Sequence, residues 1–263
     1  MTETTRITTA MLLAAGLGTR MRPLTEHTPK PLIAVAGRPL IAYALERLRA
    51  AGVRKVVMNV HWLADRLEEW ARAQTPPPEI VVSDERAALL ETGGGIRKAL
   101  PLLGDAPFYV VNTDSIWIDG ETPALSRLAA AWDDARMDAL LLLCPLEQAV
   151  GHGRGGDFLC VDGAMPHAAP CPIRRAAPDE RPAAPVFTGI YIVHPRLFAA
   201  APETPRFSMN VLFDAAMREG RLFGLMHDGP WLHVGTPQAI AEAETALRHL
   251  ATSPNARFPR SET

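Results

Sequence analysis

The sequence predicts an α/β fold in which a mostly parallel central sheet is flanked by helices. Short apolar runs, typical of buried strands, alternate through the first half with segments of helical spacing. Strands and helices that alternate in this way form βαβ units, whose strands are parallel. The chain has 263 residues, 48% of them hydrophobic, which is enough to build a sizeable core.

The elements of the first half follow from apolar runs and from helix boundary signals. An apolar run predicts a strand over residues 11–15. Pro39 opens a helix in which Leu40, Ala44 and Leu48 are spaced by four, and Gly52 ends it. The remaining predicted elements are strands at 32–35, 55–60, 79–83 and 108–112 and helices at 63–73 and 96–103. Ligands of parallel sheets bind at the carboxyl ends of strands, where residues 16–20, 83–92 and 112–114 fall.

The second half is less regular and predicts a smaller excursion from the main sheet. A glycine-rich stretch at 151–157 predicts a loop, and the proline-rich stretch 165–185 predicts an excursion with short strands near Ile173. The predicted strands are 137–144, 186–193 and 222–226, and the predicted helices are 123–135, 208–218 and 237–250. No linker or repeat divides the chain, so we expect one domain over 1–251, with halves at about 7–135 and 136–251, and a disordered tail at 252–263.

Composition excludes several classes of protein. The net charge is −2, so neither a nucleic acid nor an anionic membrane is an expected partner. No apolar run approaches the roughly 20 residues of a membrane helix. The three cysteines form no CxxC pair, and the N-terminus lacks the pattern of a signal peptide. We therefore expect a reduced, cytoplasmic protein that is a monomer or a small homo-oligomer.

The loop after the first strand has the composition of an anion-binding site. Gly16, Gly18 and Thr19 offer backbone N–H groups and Arg20 a guanidinium. Lys30 lies between two prolines, which predicts a stiff, extended backbone at that lysine. We expect this loop to bind a polyphosphate. A bare GxG would indicate only a tight turn, and a solvated basic loop is the alternative for the whole string. The third glycine of a dinucleotide fingerprint and any Gly-Lys pair of a P-loop are both absent.

The full string resembles the signature of the sugar-1-phosphate nucleotidyltransferases, an apolar strand followed by GxGTRxxPLTxxxPKP. The matching positions are Gly16, Gly18, Thr19, Arg20, Pro23, Leu24, Thr25, Pro29, Lys30 and Pro31. The resemblance extends over nearly the whole chain and implies a Rossmann-like nucleotidyltransferase fold. It also implies two partners, a nucleoside triphosphate and a sugar 1-phosphate, which react with release of pyrophosphate.

The chemistry of such a transfer fits these residues. A sugar phosphate is already an anionic nucleophile, so its attack on the α-phosphorus needs charge neutralisation and alignment rather than a general base. We expect Arg20 to bind the triphosphate and Lys30 to bind the α-phosphate or bridging oxygens, which makes these two the catalytic residues.

The resemblance also implies a Mg²⁺ cofactor and a base-binding segment. Asp114 occupies the position of the family's first magnesium-binding aspartate; a turn-forming aspartate is the alternative. We expect Asn112, two residues earlier, to contact the nucleotide. Gly93 and Gly94 belong to a segment that resembles the family's base-recognition segment, where glycines let a nucleobase approach the backbone. A helix-initiating turn without a ligand is the alternative there.

The second metal position departs from the family pattern. Relatives carry W-x-D-[IV]-G-T, whereas this chain has His233 in place of the aspartate. Imidazole suits zinc, copper or iron better than magnesium. Three outcomes are open: His233 contacts the metal or phosphate, a nearby acid such as Asp228 substitutes, or activity is impaired. A neutral structural histidine is an equal alternative.

Family segments that line the acceptor pocket are matched by Gly156, Asp157, Thr188 and Gly189, which are therefore the expected sugar-binding residues. Ser208 lies in another family string, or simply caps a helix. Among branches, the chain most resembles the one that transfers UMP from UTP to N-acetylmuramate 1-phosphate in cell-wall recycling. Glucose- or mannose-1-phosphate transfer with dTTP or GTP is the alternative within this class. A catalytically silent protein that binds nucleotide or sugar phosphate is the alternative outside it.

Overall fold

The computed structural model describes residues 6–153, 155–163, 166 and 169–252. Its strands are β1 (Thr9–Leu13), β2 (Ala34–Val35), β3 (Arg38–Pro39), β4 (Lys55–Val60), β5 (Glu79–Asp84), β6 (Phe108–Asn112), β7 (Ser115–Trp117), β8 (Ala139–Cys144), β9 (Ala149–Val150), β10 (Phe158–Cys160), β11 (Cys171–Arg175), β12 (Val186–Val193), β13 (Leu222–Met226) and β14 (Trp231–His233). Its helices are α1 (Leu40–Ala50), α2 (Ala64–Arg72), α3 (Glu91–Leu103), α4 (Ala124–Ala131), α5 (Asn210–Arg218) and α6 (Pro237–Thr252).

A nine-stranded sheet forms the centre of the molecule, in the order β10-β11-β13-β8-β12-β6-β1-β4-β5. Strands β6, β1, β4 and β5 are parallel neighbours, as are β8 and β13. Strand β12 runs antiparallel to both β6 and β8 and so joins the two parallel groups. The predicted α/β class is confirmed, and the parallel block predicted from the first half is β6-β1-β4-β5.

Helices cover both faces of the sheet because the central strands are apolar on both sides. On β1, the buried Leu12 faces the layer that contains α1, α2 and α4, while the buried Met11 faces the layer that contains α3 and α5. A third apolar cluster lies beside the main sheet, where α6 packs against β7 and β14. The carboxyl ends of β6, β1 and β4 are therefore held rigidly from both faces.

The predicted elements agree with the structure where the signal is local and differ at several boundaries. Strands β4, β6, β12 and β13 have the predicted bounds, and the short strand near Ile173 is β11. Strand β1 ends at Leu13, which leaves residues 14–15 in the loop. Helix α4 ends at Ala131 because Trp132 is extended. Helix α3 begins at Glu91, five residues before the predicted start, so the glycine run lies inside its first turns.

The short strands β7, β9 and β14 were not predicted. Each has only two or three residues and forms through pairing with distant parts of the chain. Residue 252 of the predicted tail is the last residue of α6, and residues 253–263 lie outside the described residues. Arg154 of the predicted loop and residues 165, 167 and 168 of the predicted excursion also lie outside them. In the part of the chain that the structure describes, no helix has the length and apolar character needed to cross a membrane.

One buried titratable side chain makes the stability of the fold depend on pH. His227 follows β13 and is fully covered, with Asp228, Asp119 and Arg127 as its charged neighbours. Burial lowers the pKa of His227 from its ordinary value, and the two carboxylates oppose this shift only in part. The folded protein therefore holds His227 neutral at a pH where the unfolded chain binds a proton.

We expect the free energy of unfolding to fall as the pH drops below about 6.5, where the unfolded histidine titrates, because protons then favour the unfolded state. One such group contributes a slope of up to about 1.4 kcal/mol per pH unit. Urea unfolding of His227→Phe between pH 7 and pH 5 should lose this part of the slope. His27→Phe, which changes an exposed histidine, is the control; equal slopes for His227→Phe and the control would contradict the assignment.

Candidate active site

A cavity of about 460 Å³ lies at the carboxyl ends of β1, β4 and β6. This volume falls within the range of small-molecule sites, roughly 300–1,000 Å³. Its wall is formed by the loop after β1, by the segment that follows β6 and by the segment that leads into α3. Single residues of other elements complete it. The sequence-predicted residues that line it are Gly16, Gly18, Thr19, Arg20, Lys30, Asn112 and Asp114.

The loop after β1 is held in shape by its own contacts. Gly18 has a positive φ of 63°, and a Cβ there would lie 2.7 Å from Thr25 Cγ2, so only glycine fits. Thr25 Oγ1 donates a hydrogen bond to Gly18 O at 2.9 Å, and Trp62 Nε1 donates to Thr25 O at 2.9 Å. Gly16 has open space where a Cβ would be. The loop is therefore preformed around an open face.

Arg20 supplies an accessible positive charge on this loop. It lies in the short 3₁₀ turn Thr19–Met21 that Gly18 precedes, and its side chain is exposed at the cavity. The guanidinium can donate several hydrogen bonds to one anion. Met21, the next residue, is buried and anchors the turn to the apolar cluster around α6.

Lys30 reaches the cavity from a different backbone conformation than predicted. Pro29 is extended, as expected, but Lys30 begins the 3₁₀ turn Lys30–Leu32, closed by a hydrogen bond from Ile33 N to Lys30 O. The expected extended backbone at Lys30 was wrong, because a proline at the second position of this turn supplies the required φ. The side chain is only 13% exposed, and Nζ donates to Asp114 Oδ2 at 2.6 Å.

Asp114 is the central anion of the site. Its Oδ2 accepts from Lys30 Nζ and lies 3.5 Å from His233 Nε2. Burial alone would raise the pKa of the Asp114 carboxyl, but the Lys30 ammonium and the imidazole of His233 outweigh it and hold the pKa well below its usual range. Asp114 is therefore ionised throughout the neutral range.

His233 reaches Asp114 through the small sheet formed by β7, β14 and β9. The β7–β14 ladder places His233 opposite Ser115, and Val234 N donates to Asp114 O at 2.9 Å. The imidazole stacks on Trp231, with the ring planes 13° apart and the centroids 5.6 Å apart. Gly151 passes so close that a Cβ would lie 2.4 Å from His233 O. Contact of His233 with a metal or phosphate, the first of the three outcomes left open, stays a prediction; the structure shows only that the imidazole lies beside Asp114.

Asp228 does not take the place of the missing aspartate. Its Oδ1 lies 3.0 Å from Arg127 Nη1, and its carboxylate fills the space beside Gly120. Within the described ranges, no cluster of three or more histidine, cysteine, aspartate or glutamate side chains could hold a metal by itself. The donor set at the cavity is thus one carboxylate, Asp114, with one imidazole beside it, and this set fits a cation that takes its other ligands from a bound phosphate.

The glycines at the start of α3 have a packing role. Gly93 N and Gly94 N both donate to Phe207 O, at 2.9 and 3.1 Å. A Cβ on Gly93 would lie 2.4 Å from the Phe207 ring, and one on Gly94 would lie 2.2 Å from Pro205 O. Both N–H groups are therefore already used, and the neighbours that line the cavity are Leu89, Glu91 and Thr92. Contact of Gly93 and Gly94 with a nucleotide stays a prediction.

The four predicted sugar-binding residues also make internal contacts. Asp157 Oδ2 accepts from Phe187 N at 2.9 Å, and Thr188 Oγ1 donates to Leu142 O at 2.8 Å. A Cβ on Gly156 would overlap Ala184 O. None of the four is among the residues that line the cavity as the structure describes it, so their contact with a sugar stays a prediction.

Asn112 connects the acceptor half of the chain to the cavity. Gly189 has a φ of 78°, and a Cβ there would lie 2.5 Å from Asn112 Nδ2. The irregular step in the β8–β12 ladder between Phe187 and Tyr191 coincides with this close approach. Gly189 therefore lets β12 approach the amide that borders the cavity.

Two residues that shape the cavity were missed by sequence analysis. Asn59 lines it from β4, and Glu85, fully buried behind the wall, accepts a hydrogen bond from Asn59 Nδ2 at 2.7 Å. A polar residue near the end of the apolar strand 55–60 was the available signal for Asn59. Glu85 gave no comparable signal, because a glutamate in a polar loop is usually exposed.

The sequence is similar over most of its length to a known protein family and to curated proteins. The family model of the MobA-like NTP transferase domain matches residues 10–248. An N-acetylmuramate alpha-1-phosphate uridylyltransferase of Caulobacter vibrioides is 45% identical over 243 residues, which cover 90% of this chain and 96% of that protein. A protein of the same name from Neisseria meningitidis serogroup B is 36% identical over 89% of this chain and 96% of its own length.

A solved structure of similar shape is that of a UDP-glucose pyrophosphorylase complexed with UDP-glucose. Its TM-score is 0.75 over 92% of this chain and 99% of that chain, at 17% sequence identity. This likeness supports the fold.

Proposed function

This chain belongs to the MobA-like NTP transferase family, and we propose that it transfers UMP from UTP to N-acetylmuramate 1-phosphate with release of pyrophosphate. The choice of UTP and of this acceptor rests on the two relatives that carry this name over nearly their whole length. The enzyme class itself, nucleotidyltransferase, is that of the family.

The observation that supports catalysis most directly is the convergence of Arg20, Lys30 and Asp114 on one cavity. Arg20 and Lys30 lie on two turns of the loop after β1, and Asp114 follows β6. They are the cations and the carboxylate that the transfer of a nucleotidyl group needs. Lys30 Nζ is held 2.6 Å from Asp114 Oδ2 at the cavity wall, where its charge can neutralise the charge that develops on a bound α-phosphate. This arrangement favours an enzyme over a silent binding protein.

The proposed reaction is a single displacement at the α-phosphorus of UTP. An oxygen of the sugar phosphate forms the new bond to phosphorus, and the bond to the bridging oxygen breaks, so that pyrophosphate leaves with the electron pair. Arg20 and the N–H groups of the loop around Gly18 bind the outgoing phosphates. Lys30 neutralises the charge that develops on the α-phosphate, and no residue has to remove a proton from the nucleophile.

We propose Mg²⁺ as the cofactor, held by Asp114 together with substrate phosphate oxygens. Magnesium is commonly bound by one or two carboxylates plus phosphates, and Asp114 is an ionised carboxylate at the cavity wall. When bound, the cation would supply further neutralisation of the triphosphate. Lys30 Nζ now donates to Asp114 Oδ2. If Asp114 held a cation, Lys30 would be free to donate to the α-phosphate instead, which is the role that we propose for it.

The cellular setting follows from the proposed substrates. UTP is an intracellular nucleotide, and the three cysteines are buried and form no disulfide bond, as in proteins of a reducing compartment. We therefore propose a cytoplasmic enzyme of cell-wall recycling.

The proposal is tested by measuring pyrophosphate release for four nucleoside triphosphates against four sugar 1-phosphates with Mg²⁺. We expect the highest kcat/KM for UTP with N-acetylmuramate 1-phosphate. A higher value for dTTP or GTP with glucose or mannose 1-phosphate would reassign the substrates. Saturable binding of substrates without any release would show that the chain is a silent binding protein.

Lys30→Ala should lower kcat by about 10²–10³-fold, because a preorganised donor to the developing charge is lost. The measurement is pyrophosphate release at saturating substrates, with the folded state checked by circular dichroism. Lys98→Ala, which removes an exposed lysine of α3, is the matched control. A near-normal kcat for Lys30→Ala would remove this residue from the mechanism.

His233→Asp should keep or raise the activity supported by Mg²⁺ and lower the half-maximal Mg²⁺ concentration, because it adds a second hard oxygen ligand next to Asp114. The measurement is initial rate against Mg²⁺ concentration. If kcat instead falls more than about tenfold, which is about 1.4 kcal/mol in the barrier, the histidine has a role of its own in the reaction.

A further inference from the structure

Asn59 holds the end of β1 through its side chain. It is 3% exposed at the cavity wall, and its Oδ1 accepts a hydrogen bond from Ala14 N at 2.7 Å. Ala14 is the first residue after β1 and itself lines the cavity. The other end of the amide, Nδ2, points away from Ala14 and donates to Glu85 Oε1. Asn59 thus connects one cavity wall to a residue behind it.

Glu85 connects the same amide to the start of α3. Its Oε2 accepts from Leu90 N at 3.1 Å, and its Oε1 lies where a Cβ on Gly95 would be only 2.6 Å away. The side chain is completely buried, although it carries a carboxylate. Its position against the first turns of α3 places that carboxylate at the positive end of the helix dipole, which stabilises a negative charge.

The hydrogen bonds of this pair have a fixed polarity. The backbone N–H groups of Ala14 and Leu90 can only donate, so the atoms that face them, Asn59 Oδ1 and Glu85 Oε2, must accept. Asn59 must therefore turn Nδ2 towards Glu85, and only then does Oδ1 face Ala14 N. One buried carboxyl group in this way sets the position of the loop after β1 and of the segment Leu89–Thr92, which leads into α3.

These two segments enclose the end of the cavity that lies away from Asp114. Asp114 follows β6, Ala14 follows β1 and Asn59 lies on β4, which are successive neighbours in the sheet. With about 4.8 Å between strands, Asn59 lies roughly 10 Å across the sheet from the strand that leads to Asp114. If the phosphates bind near Lys30 and Asp114, the nucleoside occupies the end next to Asn59.

We propose that Glu85 and Asn59 are positioning residues for the nucleoside part of the substrate: the buried carboxylate orients the amide, and together they hold both walls of the nucleoside pocket. The inference rests on the proposed function, because it takes a nucleoside triphosphate as the guest. Neither residue is a catalytic residue, since Glu85 does not line the cavity and Asn59 uses its amide for Ala14 and Glu85.

The test exchanges the donor and acceptor roles of the pair. In Glu85→Gln, one amide donor must face another donor, either Asn59 Nδ2, Leu90 N or, after a flip of Asn59, Ala14 N. In Asn59→Asp, a new carboxylate oxygen faces Glu85 Oε1. In the double variant Asn59→Asp with Glu85→Gln, the aspartate accepts from Ala14 N and from the glutamine amide, and the glutamine oxygen accepts from Leu90 N. All the hydrogen bonds return, and the net charge equals that of the wild type.

Calorimetry measures binding of UTP without sugar phosphate, and of tripolyphosphate as a probe for the phosphate end alone. We expect each single variant to weaken UTP binding about tenfold or more, as one unsatisfied buried group commonly does. The double variant should recover to within about threefold of wild type, and tripolyphosphate binding should stay within about twofold throughout. Glu69→Gln, which removes an exposed carboxylate of α2, is the control.

Unchanged UTP binding in the single variants, equal losses for UTP and tripolyphosphate, or a double variant no better than the weaker single variant would overturn the inference. Hydrogen exchange at the Ala14 amide gives a readout that needs no nucleotide: protection should fall in both single variants and return in the double variant. If the wild type binds no nucleotide, the proposed function fails, and this exchange pattern still decides whether the pair holds the wall. A single variant that does not fold is judged by whether the double variant restores both folding and protection.

Discussion

The ion pair between Lys30 and Asp114 is the interaction on which the geometry of the site depends. It joins the loop that follows β1 to the residue that follows β6, and both side chains are largely shielded from water. Burying two charges is costly, and their attraction compensates only when the geometry is good and other partners are present. Here the second partner is His233, which reaches Asp114 from β14. The two charges of the pair neutralise each other. In the reaction that we propose, a triphosphate and its cation would replace each as the partner of the other.

The rest of the fold brings distant segments to that pair. Strands β6, β1 and β4 supply the edge of the sheet, and the β7–β14 ladder brings the chain back from residue 231 to the end of β6. The segment around Phe207 binds the first turns of α3, with Phe207 O accepting from two glycine N–H groups and Thr92 Oγ1 accepting from Met209 N at 2.8 Å. The cavity is therefore bounded by backbone that both halves of the chain hold in place.

Sequence analysis predicted the features that depend on local pattern. The apolar run before Gly16, the run 108–112 before Asp114 and the loop 16–31 are contiguous signals, and the structure brings Arg20, Lys30 and Asp114 together as expected. The sequence does not predict the elements and contacts that form only when distant parts of the chain pair with each other. Strands β7 and β14 are too short to show a period, and Phe207 explains the glycines of α3 only once it is seen packed on them. Glu85 was missed for the same reason, since its burial depends on Asn59 and α3 together.

We propose that Lys30 and Asp114 separate when substrate binds, so that Lys30 contacts the triphosphate and Asp114 contacts its cation. A crystal structure with a non-hydrolysable UTP analogue and Mg²⁺ tests it most directly. We expect Lys30 Nζ, now 2.6 Å from Asp114 Oδ2, to contact an α-phosphate oxygen instead, and the Asp114 carboxylate to face the cation. A complex in which the Lys30–Asp114 pair is intact and the phosphates lie elsewhere in the cavity would contradict it.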